Sequence, residues 1–278
     1  MRIEVEHETR YDYDAPVRLG PHLIRLRPRL DGGAVEQAYQ LDLDPLPSMR
    51  LEGLDAAGNR ITRLWFDGET RHLRVTARLR VDTGDGQLRL PRAEPEQQRV
   101  PLRYEAADAA LLAPYLSGGI VDPALAPVAD ELTEAADGDA LAFAELLSQR
   151  LHTGITREIR PSGAPQTPAR TLARGACRDQ AVLFIALCRA VGLAARFVSG
   201  YQDRSAMDTD RRHLHAWSEV YLPGSGWHGW DPSRGTAVVV GHVAVAAAPQ
   251  PAGTLPVEGS YFGDAGSSLD FRLEIRTG

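Results

Sequence analysis

The 278-residue chain contains no lysine; all 31 of its Lys and Arg positions are arginine, so no side-chain amine is present to be acylated. Cysteine is nearly absent too, with only Cys177 and Cys188. On one helix those two lie about 16 Å apart along the axis, while a disulfide needs Cα atoms within about 7 Å. They are therefore not a bridge, and two thiols are too few for a four-cysteine zinc site. Excess positive charge is also missing: the net charge is −6, which excludes a basic surface for nucleic acid or anionic membrane. The longest apolar run, Thr236 to Ala248, is interrupted by Gly241 and His242 and is too short to span a bilayer. The opening MRIEVEHETR is charged and carries no apolar signal core. A cytoplasmic, soluble protein is the expectation. With 43% hydrophobic and 24% charged residues the composition is that of an ordinary globular chain, enough for one large domain or two modest ones.

What is present changes texture along the chain. In residues 2 to 14, Ile3, Val5, His7, Thr9, Tyr11 and Tyr13 alternate with charged residues, the pattern of a half-buried antiparallel strand. Leu73, Val75, Ala77, Leu79 and Val81 repeat it, and Tyr39, Leu41 and Leu43 form a third run. The DAAGN stretch, Asp55 to Asn59, is turn chemistry. Residues 1–100 thus read as an antiparallel β domain, in which His7, His22 and His72 are structural. The polar, proline-bracketed AEPEQQRVP, Ala93 to Pro101, reads as a linker. Residues 101–240 form an α/β core. Its first clear helix runs from Asp139, as N-cap, to His152. A second is capped by Thr167, takes Pro168 in its first turn and ends at Gly175. A third starts at Cys177, carries Ala181, Phe184, Leu187, Cys188 and Val191 on one stripe and stops at Gly192. AARFVSGY is a buried strand, Gln202 to Arg212 a charged loop, and HLHAWSEVYL-PGSG-WHGWD a β-hairpin. Residues 241–278 are a β extension: strands fall at Ala237 to Ala246 and Ser268 to Arg276, joined by the Pro- and Gly-rich APQPAGTLPVEG.

The chemistry centres on Cys177. The unpaired N–H groups and macrodipole at a helix start favour a thiolate, and a thiolate beside an imidazole is a nucleophile; the bland role for such a cysteine is a small buried side chain. Cys188, inside the helix among Ile185, Leu187 and Val191, reads as packing. A nucleophilic thiol needs a base and an orienting group. His215 begins one hairpin strand and Asp231 ends the other. Pairing Leu222 with Trp227 leaves Asp231 about three residues from facing His215, a gap for a bulge or diagonal contact to close. His213 shares a face with His215 and reads as a loop-edge residue. A metal site on His213, His215 and Asp231 is the competing arrangement, and it leaves Cys177 unexplained. His228 has the wrong parity and no assigned role. Trp217 reads as packing, and Trp230 as packing or a pocket wall. There is no EF-hand pattern, and neither cofactor nor metal is expected.

Cys177, His215 and Asp231, in that order, within GACRDQAVLFIALCRAVGLAARFVSGY and HAWSEVYLPGSGWHGWDPSRG, resemble the bacterial transglutaminase-like superfamily. The front of the chain, with HETRYDYDAPV, the LRPR of Leu26 to Arg29 and the GNR turn at Gly58, resembles the β domain that precedes that core. The resemblance implies an α+β protein with a papain-like core, Cys177 as nucleophile, His215 as general acid and base, Asp231 as its orienter, and acyl transfer through a thioester. The partners it implies are a peptide or protein amide and, for transfer, an amine acceptor. The alternative is an inactive module of the same fold used for binding. Two departures stand out. The protein-crosslinking members carry tryptophan directly after the nucleophile, tied to excluding water, where this chain has Arg178. The Arg-Asp-rich stretch that follows the His-Val strand in bacterial relatives is here AAAPQPAG, Ala246 to Gly253.

Overall fold

The alternation at residues 2–14 is the first part of one 23-residue strand, β1 (Arg2–Ile24), whose Ile3, Val5, His7, Thr9 and Tyr13 are buried while Arg2, Glu6, Arg10 and Asp14 are exposed. The computed structural model describes residues 1–31, 33–84, 98–117, 123–160, 163–203 and 213–278. After β1 come β2 (Val35–Asp44), β3 (Met49–Leu54), β4 (Arg60–Trp65), β5 (Thr70–Asp82), α1 (Ala106–Leu116), α2 (Ala126–Ala135), α3 (Ala140–Gly154), β6 (Thr156–Arg157), α4 (Pro168–Thr171), β7 (Arg174–Gly175), α5 (Cys177–Ala190), β8 (Ala195–Gln202), β9 (His215–Leu222), β10 (Gly226–Asp231), β11 (Thr236–Ala237), β12 (His242–Ala248), β13 (Val257–Phe262) and β14 (Ser267–Thr277). The class is α+β: an antiparallel sheet first, then helices packed on a second antiparallel sheet.

The first sheet has the order β2-β5-β1-β4-β3, with β13 and β14 also on β1. The first half of β1 lies between β5 and β14, and its end meets β4 and β13. The second sheet runs β11-β10-β9-β8-β12. The C-terminal β extension is therefore divided, with β12 closing the core sheet and β13 and β14 returning to the first. Three more details differ from expectation. The proline-rich tail linker holds a short 3-10 turn at Pro251–Thr254 and then β13, and Gly241, at φ +82°, breaks the expected Ala237–Ala246 strand into β11 and β12. The helix begun at Thr167 ends after one turn, without a side-chain cap, because Arg174 and Gly175 leave it to pair with Thr156 and Arg157. The linker stretch 93–97 and the loop stretch 204–212 lie outside the described residues.

Helix α3 begins as its sequence suggests, Asp139 accepting a 2.7 Å hydrogen bond from the Ala142 N–H. Phe143, Ala144, Leu147 and Leu151 of α3 join Leu183, Phe184, Leu187 and Cys188 of α5 in one buried core. Gly192, at φ +78°, ends the segment after α5 in the left-handed conformation.

The two sheets are joined by apolar packing and by a polar clamp. Ile3, Val5, Leu79, Val81 and Leu273 pack against Tyr201, Val243 and Val245. The LRPR and GNR residues make the clamp. Arg29 is buried, bonded to Asp31, to the Ala57 carbonyl and to Asn59 Oδ1. Fully buried Asn59 in turn accepts from the Ala247 N–H at 2.7 Å and donates to the Ala247 carbonyl at 3.0 Å, as a neighbouring strand would. Asn59→Ala leaves both groups of Ala247 without a partner, and the expected loss is about 2–4 kcal/mol, read as a lower urea midpoint in equilibrium unfolding.

Candidate active site

Cys177 is the first residue of α5, and the chain ahead of it is tightly held. Asp179, fully buried, accepts from the Ala176 N–H and the Gln166 N–H, each at 2.8 Å, and is paired with Arg160. A Cβ on Gly175 would sit 2.9 Å from Thr171 Cγ2 and 3.0 Å from Asp179 Cβ, so only glycine lets the turn close this tightly. Strand β9 is tied to α5 by Ser218, whose hydroxyl donates to the Ala181 carbonyl at 3.0 Å.

The structure brings Cys177, His215 and Asp231 side by side. His215 Nε2 lies 2.8 Å from Asp231 Oδ2. The imidazole is also hydrogen-bonded to Cys177, and the Ala216 N–H bonds the sulfur. The hairpin achieves this by a diagonal contact. Leu222 pairs with Gly226, not with Trp227, and the register continues to Ser218 opposite Trp230. Asp231 therefore falls across from Trp217, two residues from His215 and on the same face. The one-residue correction arises because Gly224 and Gly226 both take positive φ, so a three-residue loop suffices.

Charge sharpens the group. Burial opposes the thiolate of Cys177, but the charge and hydrogen bond of His215, with the Ala216 N–H, outweigh it and the thiol titrates below its ordinary range. Burial likewise opposes the imidazolium, yet the anions of Asp231 and Cys177 carry His215 up to about 10. Asp231 is held well below the usual carboxylate range against its burial by His215 and His242. The arrangement favours a thiolate–imidazolium pair at neutral pH. Cys188 is the opposite case: fully buried, with its thiol pushed far up by burial. Iodoacetamide at neutral pH is therefore expected to label the native protein once, at Cys177, and twice after denaturation, counted by intact mass.

Two functional neighbours were not legible in the sequence. Asp231 Oδ2 is also met by Gln202 Nε2 at 2.9 Å and by His242 Nε2 at 3.1 Å. Gln202 and His242 face each other across the β8–β12 pair, a contact 40 residues apart that no local pattern announces. The His-Val step in the sequence was the only cue. His215, Asp231 and His242 are also the one cluster among the described residues whose atoms could hold a metal ion, all within 4.8 Å of one another. It replaces the His213-based set considered above. Its atoms hydrogen-bond one another at 2.8 and 3.1 Å, inside the roughly 3.3 Å separation of ligands around a tetrahedral zinc. His213 instead lies against Phe271, with ring centroids 5.1 Å apart. Trp217 and Trp230 are fully buried, Trp217 among Val198, Ala244 and Ala247 and Trp230 in the main core, so both are packing residues. His228 bonds Ser225 at the hairpin.

A cavity of about 680 Å³ opens onto Cys177 and His215. One wall comes from the core, including Phe197 and Leu214; the facing wall comes from the first sheet, where His7, Thr9 and Tyr11 of β1 stand beside Leu269 and Phe271 of β14. Pro251, Ala252 and Thr254 to Val257 also line it. His7 is structural in that its Nδ1 lies 3.1 Å from the Tyr201 hydroxyl, and burial lowers it to about 4, so it is neutral where it faces the cavity.

Comparison with known proteins places this arrangement. Residues 3–82 match the model of the bacterial transglutaminase-like N-terminal region, and residues 126–232 match that of the transglutaminase-like superfamily. An uncharacterised protein of Mycobacterium tuberculosis (strain ATCC 25618 / H37Rv) is 28% identical over 99% of this chain and 92% of its own. An uncharacterised protein of Mycobacterium leprae (strain TN) is 29% identical over 37% of each chain. The crystal structure of a proposed cysteine protease from Cytophaga hutchinsonii superposes with a TM-score of 0.70 at 18% identity, covering 99% of this chain and 90% of that one, a likeness of fold. With residues 3–82 and 126–232 each matched by a family model, the chain belongs to the transglutaminase-like superfamily.

Proposed function

We propose that the protein is a thiol enzyme that cleaves amide bonds by acyl transfer, with Cys177, His215 and Asp231 as its catalytic triad. The observation that carries this reading is the sulfur–imidazole–carboxylate chain at the floor of an open cavity, with the thiol low and the imidazole high. The Cys177 thiolate attacks the amide carbonyl. The oxyanion is met by the Cys177 N–H, one of the first-turn donors that a helix leaves without an internal acceptor. The His215 imidazolium gives its proton to the departing amine nitrogen as the C–N bond breaks, leaving a thioester. Water then loses a proton to His215, attacks the thioester and releases a carboxylic acid and the thiol. Asp231 fixes the ring and stabilises its cationic form throughout.

Hydrolysis is favoured over amine transfer by Arg178, a charged side chain lining the cavity where the crosslinking relatives place tryptophan. Peptide amides incubated in H₂¹⁸O, with and without a fluorescent primary amine, separate the two. Label in the acid product is the expected result. Amine adducts in place of acid would convert the assignment to a transferase. A Cys177 that alkylates at pH 6 no faster than glutathione would remove the thiol mechanism altogether.

A further inference from the structure

The cavity wall is mostly apolar, but the charges it does carry are almost all of one sign. Among the described residues, Arg157, Arg160 and Arg178 line it against a single carboxylate, Glu158, in a chain whose net charge is −6. Glu158 turns to Arg174 at 3.5 Å. Arg160 is committed to Asp179 and to the Ala164 carbonyl, yet its buried Nε has no acceptor among the described residues. Arg157 is opposite Gly175 in the β6–β7 pair, two residues ahead of the nucleophile. Its half-buried guanidinium makes no hydrogen bond or ion pair with any described residue. Arg178 follows the nucleophile directly and is close enough to Arg160 for the two charges to oppose each other. Like charges gathered at a cavity's edge raise the potential there and favour an anion, and guanidinium forks match a carboxylate in shape.

Resting on the acyl-transfer reading above, we propose that the substrate is an acidic peptide, held by a carboxylate at Arg157 and Arg178 next to the scissile amide. The replacement of the crosslinkers' tryptophan by Arg178 then has a purpose: it selects an anionic substrate. The apolar wall of the first sheet takes the rest of the chain. A carboxylate could come from a Glu or Asp side chain or from a free C-terminus, and both present the same group to the guanidinium pair.

The charge preference can be read without knowing the substrate. Iodoacetate and iodoacetamide alkylate the same sulfur and differ in charge, so the ratio of their rates cancels the thiolate fraction. Arg157→Gln and Arg178→Gln are each expected to lower the iodoacetate-to-iodoacetamide ratio about fivefold, with Arg178→Lys retaining most of it. Raising the salt to about 1 M should erode the wild-type preference. A ratio unmoved by Arg157→Gln and by Arg178→Gln overturns the proposal. A second measurement holds even if Cys177 proves inert, an outcome that would sink the enzymatic reading alone. Calorimetry on the Cys177→Ser protein compares a capped Glu peptide, its Gln counterpart, and the Gln peptide with a free C-terminus. At least one of the two acidic forms is expected to bind about tenfold more tightly than the neutral one, and which of them does so identifies the source of the carboxylate. Equal binding of all three is the contrary result.

Discussion

Cys177→Ala is expected to lower amide hydrolysis by about 10⁴-fold or more while leaving the fold in place. The size follows from the role proposed for the sulfur, which is to form the covalent bond to the acyl group. Cys188 is fully buried inside α5, eleven residues further along, with a thiol whose ionisation burial opposes. The stability cost should be small by comparison, because Cys177 lines a cavity and its removal leaves no closed void. Unfolding in urea and the hydrolysis rate, measured on the same preparation, separate the two effects. A variant that folds and still hydrolyses amides at near the wild-type rate would mean that the thiol is not the nucleophile. The variant also loses the anion that helps to raise His215, so its imidazole should titrate at lower pH by NMR, an independent sign that sulfur and ring interact.

The parts that were legible in the sequence are those with local periodicity. The buried face of β1, the alternation of β5, the Asp139 cap and the start and stop of α5 follow from residues within a few positions of one another. Cys177, His215 and Asp231 were each legible as chemistry, at a helix start and at the two ends of one hairpin, but their meeting also needs β9 to pack on α5 and the hairpin to take its observed register. What was hidden is set by distant pairing. Gln202 and His242 meet Asp231 only because β12 closes the sheet beside β8. Asp179 looks like one more polar residue at a helix start until its three partners, Arg160, Gln166 and Ala176, come together around it. The tail strand β13 sits in a segment whose prolines and glycines read as linker; its order comes from β1, which it pairs at Arg18 to Ile24. The hairpin register was misjudged by one residue for a local reason, the ability of Gly226 to enter the strand with positive φ.

Asp231→Asn should reduce hydrolysis by about 10³- to 10⁴-fold and also change the shape of its pH profile. On the proposed mechanism the competent form of the wild type has an ionised sulfur and a protonated ring. Below the lowered thiol pKa the sulfur is protonated and attack is slow; above about 10 the ring has lost the proton it must give to the leaving amine. The rate should therefore form a bell with a broad top, its alkaline limb set by His215. The carboxylate of Asp231 is the leading cause that lifts His215 against its burial, so the amide substitution removes that support and the alkaline limb moves toward neutrality. The acid limb does not move up to meet it, because the same carboxylate also raises the Cys177 thiol and its loss cannot push that thiol higher, so the bell narrows from its alkaline side. His242→Gln separates this charge effect from mere loss of packing. It removes one of three partners of Asp231 Oδ2 while leaving His215 its 2.8 Å contact. A far smaller loss of rate is expected there, of order tenfold, with the alkaline limb still near its wild-type position. If Asp231→Asn instead scaled the whole profile down and left both limbs in place, Asp231 would be shaping the site without governing the charge on His215.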